Sequence, residues 1–305
     1  MKKFVVRLLL AVIPFIALLA VLVRVAYLTE LDLLKRDLTF SPEVRAAVVG
    51  DSRVEGSFDP DEIPWLRNCG QSATPFAITA QKAKLIAELN PRLEFIVVDV
   101  SPGQLLGANR PFDEVRWCPD GVPLIELMSR EDMPPLGGNF HERLTRGLLL
   151  PGLKHFLFQK GLAKSSLVGG YRKNCKFLKD NKGAKFKPDT SNPRVELSAT
   201  PPQGETILEN LLRWMRERKK KVVLTTTPVY DLYWENLYSE EARLYFENCI
   251  SKITRRYGIR WYNWLHEYQE NVDFWADGYH LNHMGAKQFS RDKRLILEAE
   301  LAANR

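Results

Sequence analysis

The hydrophobic pattern of this chain opens with one long apolar run and then settles into alternating strand-like and helix-like segments. Leu8 to Val23 carries no charge; Lys2, Lys3 and Arg7 precede it and Arg24 closes it. Extended back over Phe4, Val5 and Val6, the run approaches the ~20 residues a helix needs to cross ~30 Å of hydrocarbon. Arg7 is long enough to snorkel from the end of such a span. Thr29 to Arg45 is charged and mixed, a connector with room for a helical turn. Arg45 to Val49 then reads as a strand that stops at Gly50, and Trp65 to Cys69 as a second strand closed by Gly70. Thr74 to Leu89 has apolar residues at helical spacing and stops at Asn90-Pro91. Leu93 to Val100 is almost continuously apolar, as a strand buried on both faces requires.

The alternation resumes late. Glu205 to Arg218 reads as a helix, Lys221 to Thr226 as a strand, Glu240 to Tyr257 as a helix stopped by Gly258, Ile259 to Tyr262 as a last strand, and Gly285 to Ala302 as a closing helix. Strands alternating with helices predict an α/β domain around a parallel sheet, a three-layer α/β/α sandwich. Between the two sets, residues 101–204 are rich in Pro, Gly and charge, including a basic run from Tyr171 to Lys187. A structureless loop of that length is uncommon inside a compact domain, so an insertion with helices of its own is expected. The division is therefore 1–28 as a membrane anchor or signal peptide and 29–305 as one domain carrying the insertion.

Composition narrows the picture. At 45% apolar and 27% charged, 305 residues suit a packed core and exclude a disordered or collagen-like chain. A single spanning segment excludes a polytopic membrane protein. After Val23 the sequence Arg24-Val25-Ala26-Tyr27 matches a signal-peptidase site poorly, which favours an uncleaved anchor. Basic residues at the N-terminus place that end in the cytoplasm and the rest outside, as a single-pass protein of the cytoplasmic membrane with a periplasmic domain. The formal charge of +7 suits anionic surfaces or polymers, and nucleic acid is not expected across a membrane. Four cysteines do not make a disulfide scaffold, although Cys118 and Cys175 could pair within the insertion; Cys69 and Cys249 read as buried fillers. No His/Cys cluster has metal-ligand spacing, so neither metal nor cofactor is expected.

In an open α/β sheet, ligands bind at the carboxyl ends of the strands. The first strand delivers Gly50-Asp51-Ser52-Arg53 there, and a serine just past a buried strand can present its hydroxyl to a substrate and its N–H to an oxyanion. The last strand is followed by Asp277-Gly278-Tyr279-His280-Leu281-Asn282-His283. The three-residue spacing lets Asp277 hold one imidazole nitrogen of His280 and leaves the other free as a base.

These blocks resemble the SGNH (GDSL-type) hydrolases, from about Arg45 to the C-terminus without the insertion. The resemblance implies a flavodoxin-like parallel sheet, Ser52 as nucleophile, His280 as general base and Asp277 as its orienting acid. It implies an oxyanion hole formed by the N–H groups of Ser52 and Gly70, the latter in Asn68-Cys69-Gly70-Gln71-Ser72. The family's Gly-x-Asn-Asp block is replaced by Val98-Asp99-Val100-Ser101-Pro102, so a third donor is missing or comes from elsewhere, Asn109 and Gln104 being candidates. An anchor, a serine block without Asn-Asp, and the His-Leu-Asn-x-x-Gly-Ala ending look like the extracytoplasmic branch associated with D-alanyl transfer to teichoic acid and O-acetylation of alginate and peptidoglycan. That branch works beside a membrane-bound O-acyltransferase. The function implied is O-acyl transfer to a cell-envelope glycan through acyl-Ser52; the alternatives are a carbohydrate esterase and a non-catalytic scaffold.

Other residues have plainer roles. Arg53 and Asn109 are candidate substrate contacts, Arg53 equally suited to an internal salt bridge. His283 lacks a third metal ligand to join it and His280, and His141, His155 and His266 have no partner pattern. Trp234, Trp261, Trp264 and Trp275 suit sugar faces but more commonly fill cores.

Overall fold

The computed structural model describes residues 2–72, 74–106, 169–171, 195–197 and 203–303. Four buried residues, Ala46–Val49, form β1, and they pair in parallel with β2 (Leu66–Asn68) on one side and β3 (Phe95–Asp99) on the other. β3 pairs with β4 (Val222–Thr226), and β4 with β5 (Trp261–Asn263), all in parallel. The order β2-β1-β3-β4-β5 is that of a doubly wound sheet whose direction of winding reverses between β1 and β3. β3 and β4 are buried at every position, and the half-exposed Trp261–Asn263 lies at an edge.

Alternate strand residues face two apolar cores. Ala47, Val49, Ile96, Val98 and Leu224 pack on one side with α3 (Phe76–Leu89), α5 (Gln203–Glu217) and α7 (Glu240–Tyr257). Ala46, Val48, Phe95, Val97 and Val223 pack on the other with α8 (His283–Ala302). Helices on both faces make the domain an α/β/α sandwich. The shorter helices are α2 (Ser52–Ser57), α4 (Pro102–Leu106) and α6 (Asp231–Leu237), with a 3₁₀ turn at Val272–Phe274.

The first helix, α1, runs from Lys2 to Asp37. The mixed segment after Thr29 is thus largely the last turns of a continuous helix, because Leu31, Leu34 and Leu38 recur at helical spacing and are buried against the domain. Among the described residues, no helix is long and apolar enough to cross a membrane. Within Leu8–Val23, the side chains at positions 8–11, 16, 19, 20 and 23 lie outside that description. The first residues of the expected insertion, Pro102–Leu106, form α4, and α5 begins at Gln203 beside Leu105. Asn109, Cys118, Cys175, His141, His155 and the basic run from Arg172 to Lys187 lie outside the described residues.

Candidate active site

β1 ends at Val49, and Gly50 lets the chain turn directly into α2: a Cβ at Gly50 would collide with Val54 and sit 2.9 Å from Asp99 Cβ. Asp51 caps α2, its Oδ1 accepting the Arg53 N–H at 3.0 Å. Ser52 is consequently the first residue of α2, where its N–H has no intrahelical acceptor.

The facing loop is built on Trp275, which is fully buried and donates Nε1–H to Tyr268 O at 3.0 Å. Trp275 and Leu281 form an antiparallel bridge, Ala276 N–H donates to His280 O at 2.7 Å, and Asn282 caps α8 by accepting the Gly285 N–H at 3.0 Å. This narrow loop projects Asp277 and His280 toward α2.

Three side chains meet there. Ser52 Oγ lies 2.7 Å from His280 Nε2. His280 Nδ1 lies 2.9 and 2.8 Å from the two oxygens of Asp277. Asp277 Oδ1 also accepts the backbone N–H of Tyr279 at 2.7 Å and of His280 at 2.9 Å. Burial pushes the Asp277 carboxyl up, but the hydrogen bond and charge of His280 and these two N–H groups outweigh it and hold the carboxyl below its usual range. The arrangement fixes which imidazole nitrogen faces the acid and leaves Nε2 facing the hydroxyl.

A cleft of about 250 Å³ opens over Ser52 and His280, with Ser101, Pro102, Gly103, Val229, Tyr238 and Tyr279 among its walls. It sits beyond the carboxyl ends of β1 and β3, at the switch point of the sheet. Sequence reading missed Tyr238 and Tyr279 as its aromatic walls, because Tyr238 reaches it from the end of α6, a helix without a strong period.

Arg53 and Asp51 also line the cleft, and Arg53 is at the same time held in an internal salt bridge. Its side chain is 6% exposed, and it pairs with Asp51 Oδ2 at 3.2 Å and Asp99 Oδ2 at 3.7 Å. The guanidinium thus lies between two carboxylates at the wall of the cleft. Burial pushes Asp51 up, yet Arg53 and the hydrogen bonds from Arg53 and Ser101 bring it below its usual range. Asp99, fully buried and flanked also by the charge of Asp51, is pushed up to about 7 despite Arg53 and the Thr227 N–H at 2.8 Å. A lone acid inside the apolar run Phe95–Val100 was the available signal for this network.

Gly70 is placed differently from the expectation. Its N–H donates to Asn68 Oδ1 at 2.8 Å, while Asn68 Nδ2 bonds Val54 O and Phe58 O at 2.8 and 2.9 Å. Gly70 does not line the cleft. Gln104 is buried and bonded to Ser101, Thr74 and Thr79, away from the role of third donor.

Among the described residues, the other histidines and the tryptophans singled out above stand apart from the triad. His283 Nδ1 lies 3.2 Å from Tyr171 OH, and His266 Nδ1 lies 2.5 Å from Asp231 Oδ1. Trp234, Trp264 and Trp275 are core residues, and Trp261 donates to Thr226 Oγ1 at 3.0 Å. Cys69 and Cys249 are free and buried. Among the described residues, no group of His, Cys, Asp and Glu could hold a metal ion. In comparisons with known proteins, no family model and no curated sequence matches this chain.

Proposed function

We propose that this protein is a serine-dependent O-acyltransferase of the SGNH type, acting outside the cytoplasmic membrane on a cell-envelope glycan. The observation that carries the reading is the continuous relay Ser52 Oγ–His280–Asp277, with contacts of 2.7 and 2.8 Å. His280 Nε2 takes the Ser52 proton as Oγ bonds to the carbonyl carbon of an acyl ester or thioester. The Ser52 N–H faces the oxyanion. Collapse of the tetrahedral intermediate breaks the bond to the leaving group, which takes the proton from His280, and leaves acyl-Ser52. A sugar hydroxyl then gives its proton to His280 and attacks the acyl carbon, and His280 returns the proton to Ser52 Oγ as the acyl–Oγ bond breaks. Water in place of the sugar gives the esterase outcome from the same intermediate.

The anchor belongs to the same proposal. Ile13, Phe15, Leu18, Val21 and Val25 of α1 are each more than half exposed, a surface that suits lipid better than water. On this reading the domain works beside a membrane-bound O-acyltransferase that would supply the acyl group.

One observation favours the scaffold reading instead: Asn68 holds the Gly70 N–H, leaving the expected oxyanion hole short of a donor. Fluorophosphonate labelling of the full chain in detergent separates the two. Labelling that disappears in Ser52→Ala and His280→Ala supports catalysis; a folded wild-type protein that never labels, alone or with its membrane partner, overturns it.

A further inference from the structure

We infer a second site, a phosphate-binding cleft at the opposite end of the sheet from Ser52, which takes the headgroups of anionic phospholipids in the membrane that holds α1. It rests on the proposed anchoring and extends it to the orientation of the domain.

All five strands are parallel, so the segments that lead into them share one end of the sheet. α1 ends at Asp37 and leads into β1; α5 ends at Glu217 and leads into β4; α7 ends at Tyr257 and leads into β5. The junction of the anchor with the domain therefore lies at the end where the chain also passes through Arg218-Lys219-Lys220-Lys221 and Gly258-Ile259-Arg260.

A cleft of about 450 Å³ opens between those two segments, lined by Arg216, Lys219, Lys220, Lys221 and Arg260. Among the described residues Glu300 is the one acid in its wall, and it already accepts from Arg260 Nη1 at 2.8 Å and from Tyr262 OH at 2.5 Å. The lysines follow a closed helix end: Lys219 N–H donates to Arg216 O at 3.0 Å and Lys220 N–H to Met215 O at 2.8 Å. That pattern puts Lys219 at the left-handed position, with φ +55°, which glycine ordinarily occupies. A cation thus stands where the backbone favours a residue with no side chain. Arg216 is held over the Tyr257 ring at 5.1 Å, its charge kept at the wall.

A cationic cleft facing an anionic leaflet gains about fivefold in binding preference per basic residue near the surface. α1 brings the two together, since Arg24 lies only about 10 Å of helix from Leu31, which touches the core. With this end on the bilayer, the Ser52 cleft at the carboxyl end of the strands faces away from it. The acyl acceptor is then a glycan reached at a distance from the membrane and not a lipid within it.

The test uses the full chain in nanodiscs of phosphatidylcholine, with or without about one-third phosphatidylglycerol, read by amide hydrogen exchange. Exchange across Arg216–Lys221 and Gly258–Arg260 is expected to slow several-fold only when phosphatidylglycerol is present. A Lys219→Ser/Lys220→Ser/Lys221→Ser variant should lose that protection while retaining fluorophosphonate labelling at Ser52. Equal exchange in both nanodiscs, with the protein inserted, overturns the lipid site and leaves the anchor intact. Inorganic phosphate giving the same protection in phosphatidylcholine alone overturns the lipid as its source. A protein that fails to enter either nanodisc overturns the anchor and this inference together.

Discussion

Asp277 grips His280 at two points: Oδ1 accepts the His280 backbone N–H at 2.9 Å, and both carboxylate oxygens meet Nδ1 of its ring. The backbone contact sets where the loop carries the imidazole, and the ring contact sets how the imidazole is turned. Asp277→Asn retains an acceptor for the loop but loses the negative charge that faces Nδ1. Fluorophosphonate labelling of Ser52 is expected to slow by as much as about 10⁴-fold, with a normal circular-dichroism spectrum. Labelling at the wild-type rate would remove Asp277 from the relay. The sign of its stability effect follows from its lowered carboxyl. Its contacts with the His280 ring and with the Tyr279 and His280 N–H groups stabilise the fold above the ordinary value of 3.8 and weaken as acidification protonates the carboxyl. Urea midpoints of wild type and Asp277→Asn should therefore converge on acidification below that value.

The Arg53 guanidinium, between Asp51 and Asp99, predicts a stability defect when it is removed. Arg53→Met keeps much of the side chain's volume and leaves two carboxylates without their cation. Removing one partner of a buried ion pair costs about 3–5 kcal/mol. The urea midpoint should fall accordingly, and labelling by a neutral fluorophosphonate should fall with it because Asp51 caps the helix that begins at Ser52. A stable variant that labels normally but loses an anionic substrate would make Arg53 a binding residue instead.

What the sequence could disclose follows the range over which each interaction acts. α7 spans Glu240–Tyr257 as the pattern predicts, because its signals are local: Ser239 accepts the Ala242 N–H at 3.2 Å, and Gly258 takes the left-handed end. β3 was legible because a strand buried on both faces must be apolar along its length. α2 was not, since Ser-Arg-Val-Glu-Gly-Ser has no helical period and is held by Asp51 before it and Asn68 beneath it. The Asp277–His280 contact is three residues long and could be read directly. The engagement of Gly70 depends on a side-chain rotamer of Asn68, and the burial of Arg53 on Asp99 from another strand; neither leaves a spacing to read.

Asp99 gives the domain a pH dependence opposite in sign to that of Asp277. Its carboxyl titrates near 7 when folded and near 3.8 when unfolded, so between those values the folded state holds the extra proton. This contribution to stability declines as pH rises from 3.8 to about 7 and is level above it. Asp99→Asn abolishes the decline while retaining an oxygen for the Thr227 N–H. The difference in urea midpoint between variant and wild type should thus move in the variant's favour across that interval. A difference that stays constant would mean that Asp99 is ionised throughout.

Gly50 and Gly56 flank the nucleophile within seven residues and should respond oppositely to the same substitution. A methyl group at Gly50 would meet Val54 and the Cβ of Asp99, both fixed by the sheet and α2. Gly50→Ala must push α2 off the strand end, at about 1–3 kcal/mol for overpacking, and carry Ser52 away from His280 Nε2. At Gly56 the nearest atom to an added Cβ is Leu281 O at 3.7 Å, an ordinary contact. Gly56→Ala should then be neutral or stabilising by up to about 1 kcal/mol, because alanine loses less backbone entropy than glycine in a helix. Thermal melts report the stability difference and labelling rates the displacement of Ser52. If Gly50→Ala melts and labels as wild type does, close packing of α2 on β1 is not what positions the serine, and the cap at Asp51 alone must hold it.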